Sequence, residues 1–78
     1  METFKKLLRG TKVEAMEILM KGESTKGFDR AVEYAYMHYE SYLTGNTVVF
    51  RDGANREARV DLDTVTAILG VEPALDRR

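Results

Sequence analysis

Cysteine is absent from this 78-residue chain, and histidine occurs once, at His38. The absence of cysteine excludes disulfide bonds and thiolate metal sites, and it favours a reducing compartment such as the cytoplasm. With one histidine, a metal site would have to be completed by aspartate or glutamate alone. The composition therefore predicts neither a disulfide scaffold nor a thiolate metal centre.

An excess of one charge and a long apolar run are also missing. Twelve Lys and Arg residues against 13 Asp and Glu residues give a net charge of −1 at pH 7. This balance argues against a protein whose main task is to neutralise phosphates, and equally against an acidic mimic of nucleic acid. No apolar stretch approaches the roughly 18–20 residues of a membrane span, and no long apolar core of a secretory signal stands near the N-terminus. We expect a cytoplasmic protein with no membrane partner.

The apolar content, by contrast, is that of a folded chain, with 44% hydrophobic residues. The length predicts a single small domain over residues 1–78. A chain of this size buries only roughly 60–65% of the surface that it exposes when unfolded, so its margin of stability is thin. Because there are no disulfides, the core must be well packed or completed by a partner.

Residues 2–21 have the apolar spacing of a helix with an interruption at Gly10. Thr11 and Glu14 then fit a capping box, in which each side chain bonds the other residue's backbone amide. Gly22 is suited to end the segment. This pattern predicts either two helices that meet near Gly10 or one bent helix.

The central stretch, residues 28–43, predicts a second helix, which would be capped by Ser24 or Thr25 and stopped by the Thr-Gly-Asn sequence that begins at Thr44. The short connection to the first helix favours an antiparallel helical hairpin. One face of the predicted helix is apolar at steps of three and four residues. It is formed by Phe28, Val32, Ala35, Tyr39, Tyr42 and Leu43.

Residues 47–62 change to a period of two and predict a β-hairpin around a loop that begins at Asp52. One face of this hairpin is apolar and should pack on the helices, whereas the other face is charged and should be wet. Asp63 then predicts the cap of a short helix over residues 64–69, which Gly70 ends. The last four residues are expected to be a frayed tail.

Together these elements predict an α+β fold: an N-terminal helical hairpin, a β-hairpin and a short C-terminal helix. We expect the core to contain Leu7, Leu8, Met16, Leu19, Phe28, Val32, Ala35, Tyr39, Leu43, Val48, Phe50, Val60, Leu62, Val65, Ile68 and Leu69.

A second stripe on the central helix is the main functional signal. Arg30, Tyr34, Met37 and Ser41 follow one another at steps of four, three and four, with His38 beside them. Tyrosine, methionine and arginine are enriched at protein interfaces because they bury a large area at modest entropic cost. The stripe could also be an ordinary surface, since single apolar residues are common there, or the first helix could cover it. We interpret the stripe as a binding surface for another protein or a second copy.

Catalytic and cofactor signatures are missing. His38 has no motif partner, because Glu40 and Ser41 are too near in sequence to face it on one helix. The acidic residues around Asp52 lack the alternating oxygen ligands of a calcium loop, and there is no phosphate-binding glycine loop. The sequence therefore predicts a non-enzymatic interaction module, a small adaptor or inhibitor that needs no cofactor or metal.

Nucleic-acid binding is the alternative hypothesis. Residues 65–78 resemble the first helix and turn of a helix-turn-helix, and that resemblance implies that a recognition helix begins near the end of the chain. A solvated charged face explains the basic residues equally simply. The residues that would contact phosphates are Lys5, Lys6, Arg9, Lys12, Arg77 and Arg78.

Overall fold

The computed structural model describes residues 15–78, in which two helices are followed by three strands, a third helix and a short fourth strand, and all four strands belong to one sheet. The elements are α1 (residues 15–21), α2 (Phe28–His38), β1 (Glu40–Thr44), β2 (Thr47–Arg51), β3 (Glu57–Asp61), α3 (Leu62–Leu69) and β4 (Asp76–Arg77). The strands lie in the sheet in the order β3-β2-β1-β4, and neighbouring strands are antiparallel except for β4, which is parallel to β1. The predicted α+β class is confirmed. The predicted break near Gly10 and the capping box at Thr11 lie outside the described residues.

Glycines terminate α1 and begin α2. Gly22 has a φ of 111° and donates its amide to the carbonyl of Ile18 at 3.2 Å, as expected for a residue that ends a helix. The N-cap of α2 is Gly27, with a φ of 84°, and no side chain caps this helix. The predicted caps Ser24 and Thr25 are therefore wrong, because a residue with positive φ already directs the chain into the helix.

The second helix ends at His38, five residues before the predicted end at Leu43. Tyr39 is extended, with φ −100° and ψ 162°, and its amide closes the helix on the carbonyl of Ala35 at 2.8 Å. The chain then forms β1, which pairs with β2 along its whole length. The two-residue turn Gly45-Asn46 joins the strands, with a φ of 60° at Gly45, where a type II′ hairpin turn places glycine.

The predicted β-hairpin is confirmed as β2 and β3, which are joined by residues 52–56. As predicted, Val48, Phe50 and Val60 face the helices and are at most 4% exposed. Val49 corrects the expectation that the other sheet face is entirely wet, because it points away from the helices and is 1% exposed. The buried core consists of Ala15, Met16, Leu19, Phe28, Ala31, Val32, Ala35, Leu43, Val48, Phe50, Ala58, Val60 and Val65.

The predicted core is confirmed within the described residues, although four of its members are only partly buried. Ala15, Ala31 and Ala58 are buried in addition to the predicted set. Leu7 and Leu8 lie outside the described residues. The partly buried members are Tyr39, Leu62, Ile68 and Leu69.

The last helix begins earlier than predicted, because Asp61 rather than Asp63 is its cap. The Asp61 carboxylate accepts from the amide of Asp63 at 3.2 Å, and Gly70 ends the helix as predicted, with a φ of 78°. No second helix follows Gly70 within the described chain, so the resemblance to a helix-turn-helix does not extend to a recognition helix.

The tail is ordered rather than frayed. Asp76–Arg77 forms β4 beside β1, and the amide of Arg78 donates to the carbonyl of Leu43 at 2.7 Å. The amide of Ala74 donates to the hydroxyl of Tyr36 at 3.0 Å, which attaches the tail to α2 as well. The tail therefore covers part of the outer edge of β1.

Candidate interaction surface

The solvent side of α2 carries four of the five residues predicted to bind a protein. Met37 is 75% exposed, and Arg30 and His38 are exposed on either side of it. Tyr34 is half-buried because part of its ring packs against the core. We call these four residues the α2 surface.

Aromatic contacts hold one flank of the α2 surface in place. The rings of Tyr34 and His38 lie 4.3 Å apart, and the ring of Tyr39 meets that of Tyr34 edge-on at 5.7 Å. Such edge-to-face pairs stabilise a fixed arrangement of rings beyond the area they bury. Burial and the nearby Tyr34 and Asp52 raise the pKa of Tyr39 above its ordinary value, against the opposing effects of the Met16 amide and Arg56. Tyr39 is therefore neutral at physiological pH and acts as a packing residue.

Ser41, the fifth predicted residue, is not part of the α2 surface. It lies in β1, and its hydroxyl donates to the carbonyl of Tyr39 at 3.4 Å. The period of four residues that placed Ser41 below Met37 applies only to a helix, and this helix ends at His38.

A shallow cleft of about 340 Å³ adjoins the α2 surface at its C-terminal end. Sequence reasoning missed it, because the cleft forms where α2 and β1 meet the loop between β2 and β3. Of the residues that line the cleft, only His38 was predicted to belong to a binding surface. The cleft is lined by His38, Tyr39, Glu40, Arg51, Asp52, Gly53 and Asn55.

The carboxylate of Asp52 organises the loop on one side of this cleft. Its Oδ1 accepts from the amides of Ala54 and Arg56, both at 2.9 Å, and its Oδ2 accepts from Nε of Arg56 at 2.8 Å. Burial alone would raise the pKa of Asp52, but the bonds and charge from Arg56, with the bond from Ala54, outweigh burial and lower it. Asp52 is thus an ionised structural residue whose bonding capacity is used within the loop.

The charges of the outer sheet face, the face turned away from the helices, form a row of alternating sign. Glu40, Arg51 and Glu57 stand opposite one another on β1, β2 and β3. The guanidinium of Arg51 lies 3.7 Å from Glu40 and donates from Nε to Glu57 at 2.9 Å. The hydrogen bond and charge of Glu57, and then the charge of Glu40, raise the pKa of Arg51 despite some desolvation.

Arg78 closes the other end of this row. Its guanidinium lies 3.1 Å from the carboxylate of Glu40 and 4.3 Å from the centre of the Tyr42 ring. Of the residues predicted to bind nucleic acid, Arg77 is exposed and Arg78 is engaged in these contacts. Lys5, Lys6, Arg9 and Lys12 lie outside the described residues.

No group of three or more His, Asp or Glu side chains able to hold a metal occurs within residues 15–78. Among the helices of the same part of the chain, none has the length and apolar character needed to cross a membrane. No protein-family model matches the chain, and no curated protein and no solved structure matches it.

Proposed function

We propose that this protein is a non-enzymatic interaction module, a small adaptor or inhibitor that acts by occupying a surface on another protein or on a second copy. The binding element is the α2 surface. The observation that carries the proposal is the exposure of Met37, a large apolar side chain of which 75% is in contact with solvent.

The neighbours of Met37 support a binding role. Methionine adapts its shape to an apolar pocket, and the ordered Tyr34–His38 pair beside it adds aromatic area that loses little freedom on binding. Arg30 adds a cation about two helical turns before Met37. A partner that fits this arrangement has an apolar pocket with an acidic rim. A reducing cytoplasm is the compartment that a cysteine-free sequence favours.

The test replaces Met37 with glutamate and compares it with a matched control. Met20 is also an exposed methionine, 58% accessible, but it lies on α1. The tagged wild-type chain, Met37→Glu and Met20→Glu are used in pull-downs from native lysate, and each purified protein is examined by light scattering. We expect Met37→Glu to weaken association at least about tenfold, because a charge placed in an apolar pocket is strongly disfavoured. Met20→Glu should bind normally.

Circular dichroism distinguishes lost binding from lost folding. Both methionines are exposed, so both variants should keep the helical spectrum and melting temperature of the wild type. Equal binding by the two variants, or a wild-type chain that is monomeric and captures nothing, would contradict the proposal. Tyr34 is a poor site for this experiment, because its ring also packs against the core.

A further inference from the structure

The outer edge of β3 is open along the described chain. In the order β3-β2-β1-β4, β3 has β2 on one side and no described strand on the other. An open edge presents unpaired amides and carbonyls that can accept another strand. Any strand that pairs there must match both these backbone groups and the charges beside them.

The hydrogen bonds at the two ends of the β2–β3 ladder show which backbone groups of β3 face outward. The amide of Asp52 donates to Arg56 at 3.0 Å, and the amide of Leu62 donates to Asn46 at 2.9 Å. In an antiparallel ladder such bonded pairs alternate along the strands. Ala58 therefore directs its amide and carbonyl toward β2, whereas Glu57 and Arg59 direct theirs outward.

Charge complementarity selects the occupant. The outer-face row runs Glu40, Arg51, Glu57 and ends at β3 on a carboxylate, so the next position in the row favours a cation. The chain itself has a suitable cation on β3, two residues after Glu57. The side chain of Arg59 is 65% exposed, and its guanidinium lies 3.6 Å from the carboxylate of Glu57. A second β3 that runs antiparallel can place its Arg59 opposite Glu57.

We propose that the outer edge of β3 pairs antiparallel with β3 of a second copy, with Ala58 opposite Ala58 on the two-fold axis. In this register Glu57 of each copy faces Arg59 of the other, and these residues exchange the outward backbone bonds. In a register centred on Arg59, the two Arg59 side chains would face each other, and Glu57 of each copy would face Asp61 of the other. Repulsion between these like charges disfavours that register. The small, buried side chain of Ala58 leaves room for close approach at the axis.

The result is a continuous eight-stranded sheet with charges of alternating sign across the junction. A single added strand pair is a small interface, so the dimer should be weak and dependent on concentration. This edge is separate from the α2 surface, and the inference does not rest on the function proposed above.

Sedimentation equilibrium tests the inference on the full chain, at concentrations from about 10 µM to about 1 mM. We expect a monomer–dimer equilibrium that weakens when the ionic strength is raised, since the ion pairs are partly exposed. Arg59→Glu places two carboxylates opposite each other and should raise the dimer dissociation constant at least about tenfold. Lys26→Glu, the same change of charge in an exposed turn, should have no effect.

Arg59→Pro tests the backbone bonds. Proline removes an amide that points away from β2, so the monomer should fold and the dimer should be lost. If circular dichroism shows that this variant does not fold, Arg59→Glu alone decides. A wild-type chain that is monomeric at every concentration would overturn the inference, as would a dimer that survives Arg59→Glu or that Met37→Glu disrupts.

Discussion

The two faces of the sheet are built from the same strands but are stabilised differently. Val48 and Val49 are neighbours in β2 and are both at most 1% exposed, yet they point to opposite faces. Val48 belongs to the core cluster beneath the helices, whereas Val49 does not. On the outer face, Tyr42 and Arg59 stand opposite Val49 on the adjacent strands. Two valines that are buried to the same extent therefore have different surroundings: Val48 lies within the core cluster, whereas Val49 lies between the side chains of Tyr42 and Arg59.

The largest expected effect in this comparison comes from the valine pair. Val48→Ala should destabilise the fold by about 2–3 kcal/mol, because the packed core cannot close the cavity left by two methyl groups. Val49→Ala removes the same atoms but should lose only about 1 kcal/mol, since the long side chains around it can collapse into the space. Urea denaturation of both variants measures the difference. Equal losses would show that the outer face is packed as tightly as the core.

A smaller loss of stability is expected at Asp52, whose carboxylate holds the loop between β2 and β3 together. Asp52→Asn should destabilise the protein by about 1–2 kcal/mol at neutral pH, because it loses the ionic bond to Arg56 while keeping an acceptor for the amides. The lowered pKa of Asp52 also predicts a pH dependence. Its stabilisation is complete above the unfolded value of about 3.9 and is lost as the pH falls through the lower, folded value.

Denaturation curves between about pH 2.5 and pH 7 test both parts of this prediction. The stability difference between the wild type and Asp52→Asn should shrink in acid and disappear once Asp52 is protonated in the folded state. A difference that stays constant over this range would mean that the carboxylate charge of Asp52 contributes nothing to folding.

The smallest effect is expected for an exposed pair on the outer face. Arg78→Gln breaks the ion pair with Glu40 and the contact with the Tyr42 ring, and it should destabilise the fold by about 1 kcal/mol or less. The loss of stability caused by Arg78→Gln should be smaller in high salt, because salt screens an exposed ion pair. Thermal melts at low and high salt give the measurement. A loss as large as that of Val48→Ala would show that the tail is an integral part of the fold.

Much of the fold could be predicted because its signals are local. The hairpin of β2 and β3 shows alternating apolar residues around a turn that begins at Asp52, and both strands follow that alternation. The helix cap was misplaced by two residues, at Asp63 instead of Asp61, because either aspartate satisfies the local rule. The Gly-Asn pair between Thr44 and Thr47 is itself a signal for a β-hairpin. It was interpreted as the end of a helix, and β1 was therefore not predicted.

The candidate site was predictable only in part, because only some of its residues are brought together by a local pattern. Arg30, Tyr34, Met37 and His38 lie within the true helix, so their spacing placed them together. Ser41 lies beyond its end and was misplaced. The cleft joins His38 to Asp52 and Asn55, and no local pattern indicates that a helix end and a distant loop adjoin.

By itself, the sequence determined the helical face of Phe28, Val32 and Ala35, the second hairpin and the glycines that end helices, because each depends on near neighbours. Gly45-Asn46 is a local signal for a hairpin, but only the tertiary structure decided that residues 40–44 form a strand instead of continuing the helix, and that Asp76–Arg77 pairs beside this strand. Tyr39, Tyr42 and Leu43 fit the period of a helix, but the second edge of β2 requires a partner for its amides and carbonyls. That requirement is satisfied by hydrogen bonds between distant strands, which a local pattern does not contain.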